Sequence, residues 1–311
     1  MGQPSAGALK RASLVLLAAA FIWGSMIPVL AALAEHYDKW LLSWLRYILG
    51  LPVLWLAVAM TARQHRSVRR PPRPLRAGRL LQLGAAMSAF SVLYTFGVAH
   101  AHPATSAIVL MCGPVWATLL ARVMLGTGTP PGFYLTLALV VGGGIVVVLG
   151  TPGRRGSGIA LEGGEPLLII AQLCWTWYSI RAQQWLSDRG QIALSALTSS
   201  VASVLLGAVC MVVWATAGLD WPTRLPTAVE AGMLAWIGVL GVAIAVLLWN
   251  TGVSLVGVPV ASLFANTAPI FAIGLAALMG YTPSWLQLAG GAVVLGGIAL
   301  HQLRQLRRAG G

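Results

Sequence analysis

Residues 94–114 read YTFGVAHAHPATSAIVLMCGP, and residues 249–269 read WNTGVSLVGVPVASLFANTAP. The second stretch follows the first at a constant offset of 155: Tyr94 falls on Trp249, Gly97 on Gly252, Val98 on Val253 and Pro114 on Pro269. That offset is half of a 311-residue chain, so one apolar unit is written twice. Duplication within a hydrophobic chain is the sequence mark of proteins whose two repeats rock around a site near the bilayer midplane.

The rest of the chain has the matching character. It is 58% hydrophobic and only 9% charged, with a mean hydropathy of +0.82. An ordinary soluble domain carries about 25% charge. The apolar residues gather in runs of about 20, the length that crosses a hydrocarbon core as a helix. Ten such runs are read at 13–33, 41–61, 80–99, 104–124, 132–150, 166–186, 194–215, 231–249, 259–279 and 284–302. The expected fold is all-α and polytopic, with ten transmembrane helices. A barrel would alternate apolar and polar residues in segments of about ten, and this chain does not.

The net charge of +13 is distributed as a topology signal rather than as a nucleic-acid surface. Seven arginines lie in residues 63–79. With the N-terminus in the cytoplasm, Lys10, Arg11, Arg122, Arg181, Arg189, Arg304, Arg307 and Arg308 join them inside. Lys39, Arg154, Arg155 and Arg224 lie outside, and Arg46 lies within a span. The expected location is the cell (inner) membrane with both termini cytoplasmic. No nucleic-acid partner is expected. The basic stretch from Arg63 to Arg79 is accounted for by topology, with anionic lipid as the other reading. Ala32-Leu33-Ala34 resembles a leader-cleavage site, but the preceding apolar run is too long for one, and the first helix is retained. Cys112, Cys174 and Cys210 sit in apolar spans as small apolar side chains, forming no metal or disulfide pattern.

Five spans precede the segment 151–165 and five follow it. An odd number per unit means the second unit enters the membrane from the opposite side. The expected domains are an inverted pair, 1–150 and 166–311, joined by an outer linker at 151–165. Trp23 corresponds to Trp175 at an offset of 152, and Gly142-Gly143-Gly144 has a counterpart in Gly296-Gly297. The chain resembles the ten-helix EamA-type members of the drug/metabolite transporter superfamily. The likeness rests on Trp23-Gly24-Ser25, on Arg46, and on Trp249-Asn250-x-Gly252. Ala261-Ser262-Leu263-x-x-Asn266-x-x-Pro269 completes it. Members often carry Gly-Glu where this chain has Gly126-Thr127 and Gly280-Tyr281. The resemblance implies export of a small solute; no cofactor is expected, and with no nucleophile–base or metal constellation in the sequence no enzymatic activity is expected.

Candidate site residues follow from what is costly in hydrocarbon. Arg46 is the one formal charge well inside a span, and a buried arginine is paired or functional. It reads either as a bidentate anchor for a substrate carboxylate or as a side chain reaching the outer interface to meet Glu35 or Asp38. Trp23, Tyr94, Trp175, Tyr178 and Trp249 lie mid-span rather than in interfacial belts, which reads as a cavity wall or as plain packing. Asn250, placed at the end of the eighth helix, and Asn266, in the ninth, read as helix glue or as substrate contacts. Pro28, Pro114 and Pro269 are expected to kink or break their helices. Gly97 and Gly252 are read as moving scaffold. His100 and His102 flank a turn and are not assigned to a metal.

The functional expectation is a secondary, non-ATP transporter exporting a small metabolite by alternating access, most consistent with an amino acid or an aromatic carboxylate. No Asp or Glu lies deep in a span, which favours a facilitator or exchanger over a proton-driven pump. The alternatives are efflux of lipophilic cationic drugs and, from another class, a lipid scramblase or a membrane-embedded enzyme.

Overall fold

The computed structural model describes residues 5–64, 74–101, 103–126, 128–150, 163–218, 222, 224–278 and 280–309. Expectations for residues 65–73, His102, Thr127 and 151–162 lie outside the described residues. Among the described residues every regular element is helical. In order they are α1 (Ala6–Leu33), α2 (Lys39–Gln64), α3 (Ala77–Ala99), α4 (Pro103–Met111), α5 (Gly113–Leu125), α6 (Phe133–Leu149) and α7 (Glu165–Leu186). After a short 3₁₀ turn come α8 (Gln191–Ala217), α9 (Ala228–Ala235), a π-helical stretch (Trp236–Ile244), α10 (Ala245–Ala265), α11 (Ala268–Leu278) and α12 (Trp285–Ala309).

All ten apolar runs fall on helix, but they are not ten uniform spans. Six runs are long and apolar enough to cross a bilayer alone, and α4 with α5 makes a seventh, bent by 42°. α6 and α11 are apolar but short, at 17 and 11 residues. α7 carries Gln172, Arg181, Gln183 and Gln184, and falls outside that set. The molecule is a helical multi-pass membrane protein. The count of ten crossings is not reached on length and composition alone.

Boundaries differ from the reading where runs 104–124 and 259–279 are each split between two helices, and again around Asn250. Helix continues from Ala228 through the π stretch into α10, so Asn250 is mid-helix rather than at a helix end. The chain turns instead at Gly257, whose φ of 77° and ψ of 163° lie where only glycine is unstrained. Pro259 follows and restarts the helix. Pro28 and Pro52 are carried inside α1 and α2 without interrupting them.

The helices pack in antiparallel pairs. α1 lies on α10, α3 on α7, α2 on α8, and α6 on α12. Two of these contacts are the same contact made twice. A Cβ on Gly97 of α3 would sit 2.7 Å from Leu168 Cδ2 of α7, and one on Gly252 of α10 would collide with Leu16 of α1. Leu168 follows Leu16 by 152 residues, and Gly252 follows Gly97 by 155. These are the offsets that relate Trp175 to Trp23 and Trp249 to Tyr94. Each glycine lets two helices approach until leucine fills the gap, which is how helices associate where water supplies no driving force.

Gly252→Val should therefore overpack the α1–α10 contact and cost roughly 1–3 kcal/mol. The loss would be read as a lower thermal midpoint of the detergent-solubilised protein. An unchanged midpoint would contradict the close approach.

Candidate functional site

Three tryptophans from three helices meet at the centre of the bundle. Trp23 of α1 stands edge-on to Trp175 of α7 at 5.9 Å between ring centroids. Trp249 of α10 lies 5.6 Å from Trp23 and 5.9 Å from Trp175. Phe90 of α3 extends the wall, 5.1 Å from Trp175 and 5.7 Å from Tyr94. Two indole N–H groups are held inside the protein: Trp23 Nε1 donates to the Gly241 carbonyl at 3.2 Å, and Trp249 Nε1 to Ser179 Oγ at 3.0 Å. The rings are thereby fixed in orientation. They border a cavity of about 290 Å³.

The cavity's second wall comes from two broken helices. Pro114 has no N–H to give to the Leu110 carbonyl four residues back. Val115 bonds back to Cys112 at 2.9 Å, which frees the Met111 carbonyl as well. Side chains from elsewhere take both: Gln172 Nε2 of α7 donates to Leu110 O at 3.0 Å, and Asn266 Nδ2 donates to Met111 O at 2.7 Å. Asn266 itself sits in the turn between α10 and α11, just before Pro269. The two interruptions therefore face each other, and Met111, Gly113, Pro114, Ala265, Asn266 and Pro269 all line the cavity.

Arg46 of α2 is half-buried on the remaining side, together with Met26, Tyr47 and Tyr94. Its Nη2 donates to Ser91 Oγ at 2.5 Å, and its guanidinium carbon lies 5.7 Å from the Tyr47 ring centroid. Its Nε is buried with no hydrogen-bond partner. Neither Glu35 nor Asp38 pairs with it. Asp38 instead caps α2, accepting from the Trp40 amide at 2.7 Å. Among the described residues the ion pair seen is Arg224–Glu230, at 2.7 Å. Arg46 is thus a cation at a cavity wall held by one hydroxyl and one aromatic ring, with no carboxylate among the described residues. No Asp, Glu or His is among the lining residues, and the described residues form no cluster of three His, Cys, Asp or Glu that could hold a metal.

The structure separates the sequence candidates into two groups. Trp23, Arg46, Tyr94, Trp175, Trp249, Asn266, Pro114 and Pro269 are on the cavity wall. Tyr178 and Asn250 are fully buried behind it. Asn250 Nδ2 donates to Tyr178 Oη at 3.0 Å and to Ser195 Oγ at 2.9 Å, and Tyr178 Oη lies 3.2 Å from Thr198 Oγ1. This closed cluster joins α7, α8 and α10. Gly97 and Gly252 belong to the paired helix contacts described above. Pro28 is in continuous helix and off the wall. Gln172, Phe90, Met26 and Ser91 were not singled out from sequence. Gln172 had the same signal as the asparagines, an amide at mid-span. Phe90 stands four residues before Tyr94, on the same helix face.

The closed cluster has a counterpart that explains Arg46. Ser43 Oγ lies 3.5 Å from Thr95 Oγ1, and the offsets of 152 and 155 carry that pair onto Ser195 and Asn250. The offset of 152 likewise carries Met26 onto Tyr178 and Arg46 onto Thr198. In the second half a phenol, a hydroxyl and an amide satisfy one another. In the first half a thioether and a guanidinium hold those places, and the space between them is open.

The profile of the EamA-like transporter family matches residues 10–149 and 163–301. The chain is similar to "Uncharacterized transporter YyaM" of Bacillus subtilis (strain 168), at 21% identity over 209 residues that make up 67% of each chain. Among solved structures, one crystal structure aligns over 95% of this chain and 98% of its own with a TM-score of 0.74 at 20% identity, which shows a shared fold.

Asn266→Leu should leave the Met111 carbonyl without its donor beside the break in the α4–α5 span. The expected cost is roughly 1–3 kcal/mol, measured as a lower thermal midpoint. An undiminished midpoint would mean that this cross-link does not hold the two interruptions together.

Proposed function

The chain belongs to the EamA-like transporter family of the drug/metabolite transporter superfamily, and on that premise we propose that its central cavity carries a small carboxylate-bearing solute with an apolar or aromatic body. One observation carries the reading: a single guanidinium without a carboxylate partner faces a wall of five aromatic rings. Guanidinium presents a fork that matches a carboxylate, and Arg46 lines the cavity with no carboxylate partner among the described residues. The rings of Trp23, Phe90, Tyr94, Trp175 and Trp249 would take the apolar body. A cavity near 290 Å³ is at the small end of ligand pockets, which run roughly 300–1,000 Å³. It suits a metabolite of amino-acid size.

The two halves, 1–150 and 166–311, would act as inverted repeats that alternately expose the cavity to each side. The twice-made glycine–leucine contacts support such a relation. The family resemblance implies export across the cell (inner) membrane, and the arginine distribution favours both termini in the cytoplasm. The cavity wall has no Asp or Glu to shuttle a proton, so the solute would move down its own gradient or by exchange.

In proteoliposome counterflow with phenylalanine, phenylpyruvate and tetraphenylphosphonium as probes, the wild-type protein should accelerate one or both carboxylates and not the cation. Arg46→Gln should raise the apparent KM for the carboxylate by about 10–100-fold, the equivalent of one charged hydrogen bond. Unchanged carboxylate transport in Arg46→Gln would overturn the anchor, and acceleration of the cation would favour cationic-drug efflux instead. Transport that begins only when a pH gradient is imposed would overturn the facilitator reading.

A further inference from the structure

A second arrangement of unpaired cations lies far from the cavity, where α3 begins and α7 ends. Trp185, one residue before the end of α7, has two guanidiniums at its ring. The guanidinium carbon of Arg79, in the first turn of α3, is 5.3 Å from the centroid, and that of Arg181 is 5.6 Å away. Trp177 closes the ring's other edge at 5.6 Å and 84°. Neither arginine is ion-paired with a described carboxylate. Arg181 spends Nη1 on Gln184 Oε1 at 2.8 Å and keeps its Nε buried without a partner.

Indole contact offsets part of the cost of holding a guanidinium, about 0.5–2 kcal/mol each, but leaves both charges in place. Two like charges drawn to one ring repel each other, and an oxyanion between or beside them relieves that repulsion while taking up the free N–H groups. Arginine forks match phosphate oxygens in pairs. Tryptophan and arginine at a helix end are also the residues that meet a membrane at headgroup depth. The surroundings favour a lipid over a free ion: Leu75 and Leu81, 39% and 53% exposed, present apolar surface at the same end of α3, where acyl chains would lie.

We propose that Arg79, Arg181 and Trp185 form a binding site for the headgroup phosphate of an anionic phospholipid, seated across the α3–α7 contact. The site is independent of the solute carried in the central cavity. It also assigns a specific role to the last arginine of the basic stretch, in place of a diffuse attraction shared by all of them.

The test uses the full chain, purified in neutral detergent, with thermal midpoint and native mass spectrometry as readouts. Phosphatidylglycerol should raise the midpoint and stay bound in the gas phase, whereas phosphatidylcholine and inorganic phosphate at the same concentrations should do neither. Arg79→Gln should weaken phosphatidylglycerol by about tenfold or more, the loss of one charge-assisted contact. Its side chain is exposed, so this variant folds. Arg79→Lys, which keeps the charge and loses the fork, should fall between. Arg76→Gln is the control, an exposed arginine three residues away that does not touch the ring. Equal losses in Arg76→Gln and Arg79→Gln would show diffuse charge attraction and overturn the site. An equal midpoint shift with inorganic phosphate would overturn the lipid assignment.

Discussion

A backbone carbonyl inside hydrocarbon has no water to turn to, and this molecule is organised around that constraint. Most of its carbonyls are satisfied within uninterrupted helices. Where Pro114 removes a donor, two carbonyls are released at once, and the protein must answer with side chains from other parts of the chain. Gln172 and Asn266 are that answer. By supplying it they tie α4 to α7 and to the turn between α10 and α11. The centre of the bundle can then be irregular without being unsatisfied, and irregular backbone in a membrane is tolerated only where it is buried in protein or lines a cavity. The aromatic wall stands in the space that this arrangement keeps clear.

Contacts recur between the first and second halves at fixed offsets, and one polar constellation differs. Leucine on glycine, and hydroxyl near hydroxyl or amide, recur at fixed offsets. Tyr178, Thr198, Asn250 and Ser195 complete one another, and nothing among them is left for a ligand. The positions that match Tyr178 and Thr198 in the first half are Met26 and Arg46. A flexible thioether and a cation cannot close on each other in that way. Met26 and Arg46 border the cavity, whereas Tyr178 and Thr198 are closed into a hydrogen-bonded cluster.

The amphipathic logic of soluble proteins gives little help here, because a membrane helix is apolar on all sides. Depth along a span could still be read. The tryptophans at 23, 175 and 249 stood out because they lie away from the interfacial positions that tryptophan prefers, and all three line the cavity. Azimuth around the helix could not be read. Trp175 and Tyr178 are three apart, a spacing that shares a helix face, yet the tyrosine turns its hydroxyl to α8 while the tryptophan borders the cavity. The apolar run 231–249 puts Asn250 at a helix end. The chain turned seven residues after Asn250, at Gly257, since glycine alone accepts that backbone. Gln172 was passed over because its partner, the carbonyl that Pro114 orphans, sits 62 residues earlier in the chain. The π stretch left no mark in residue type at all.

That π stretch has a mechanical consequence. Residues Trp236–Ile244 are wound more loosely than the helix on either side, and the carbonyl of Gly241 within them holds the indole of Trp23. The equivalent residues of α3, 81–89, are ordinary α-helix. Tightening the loose stretch to α pitch would shift the register of everything preceding it and carry Gly241 O away from its indole. Pitch and ring are therefore geared together like a tooth and a notch: rewinding the helix at Gly241 would take from the Trp23 indole the carbonyl that fixes its orientation.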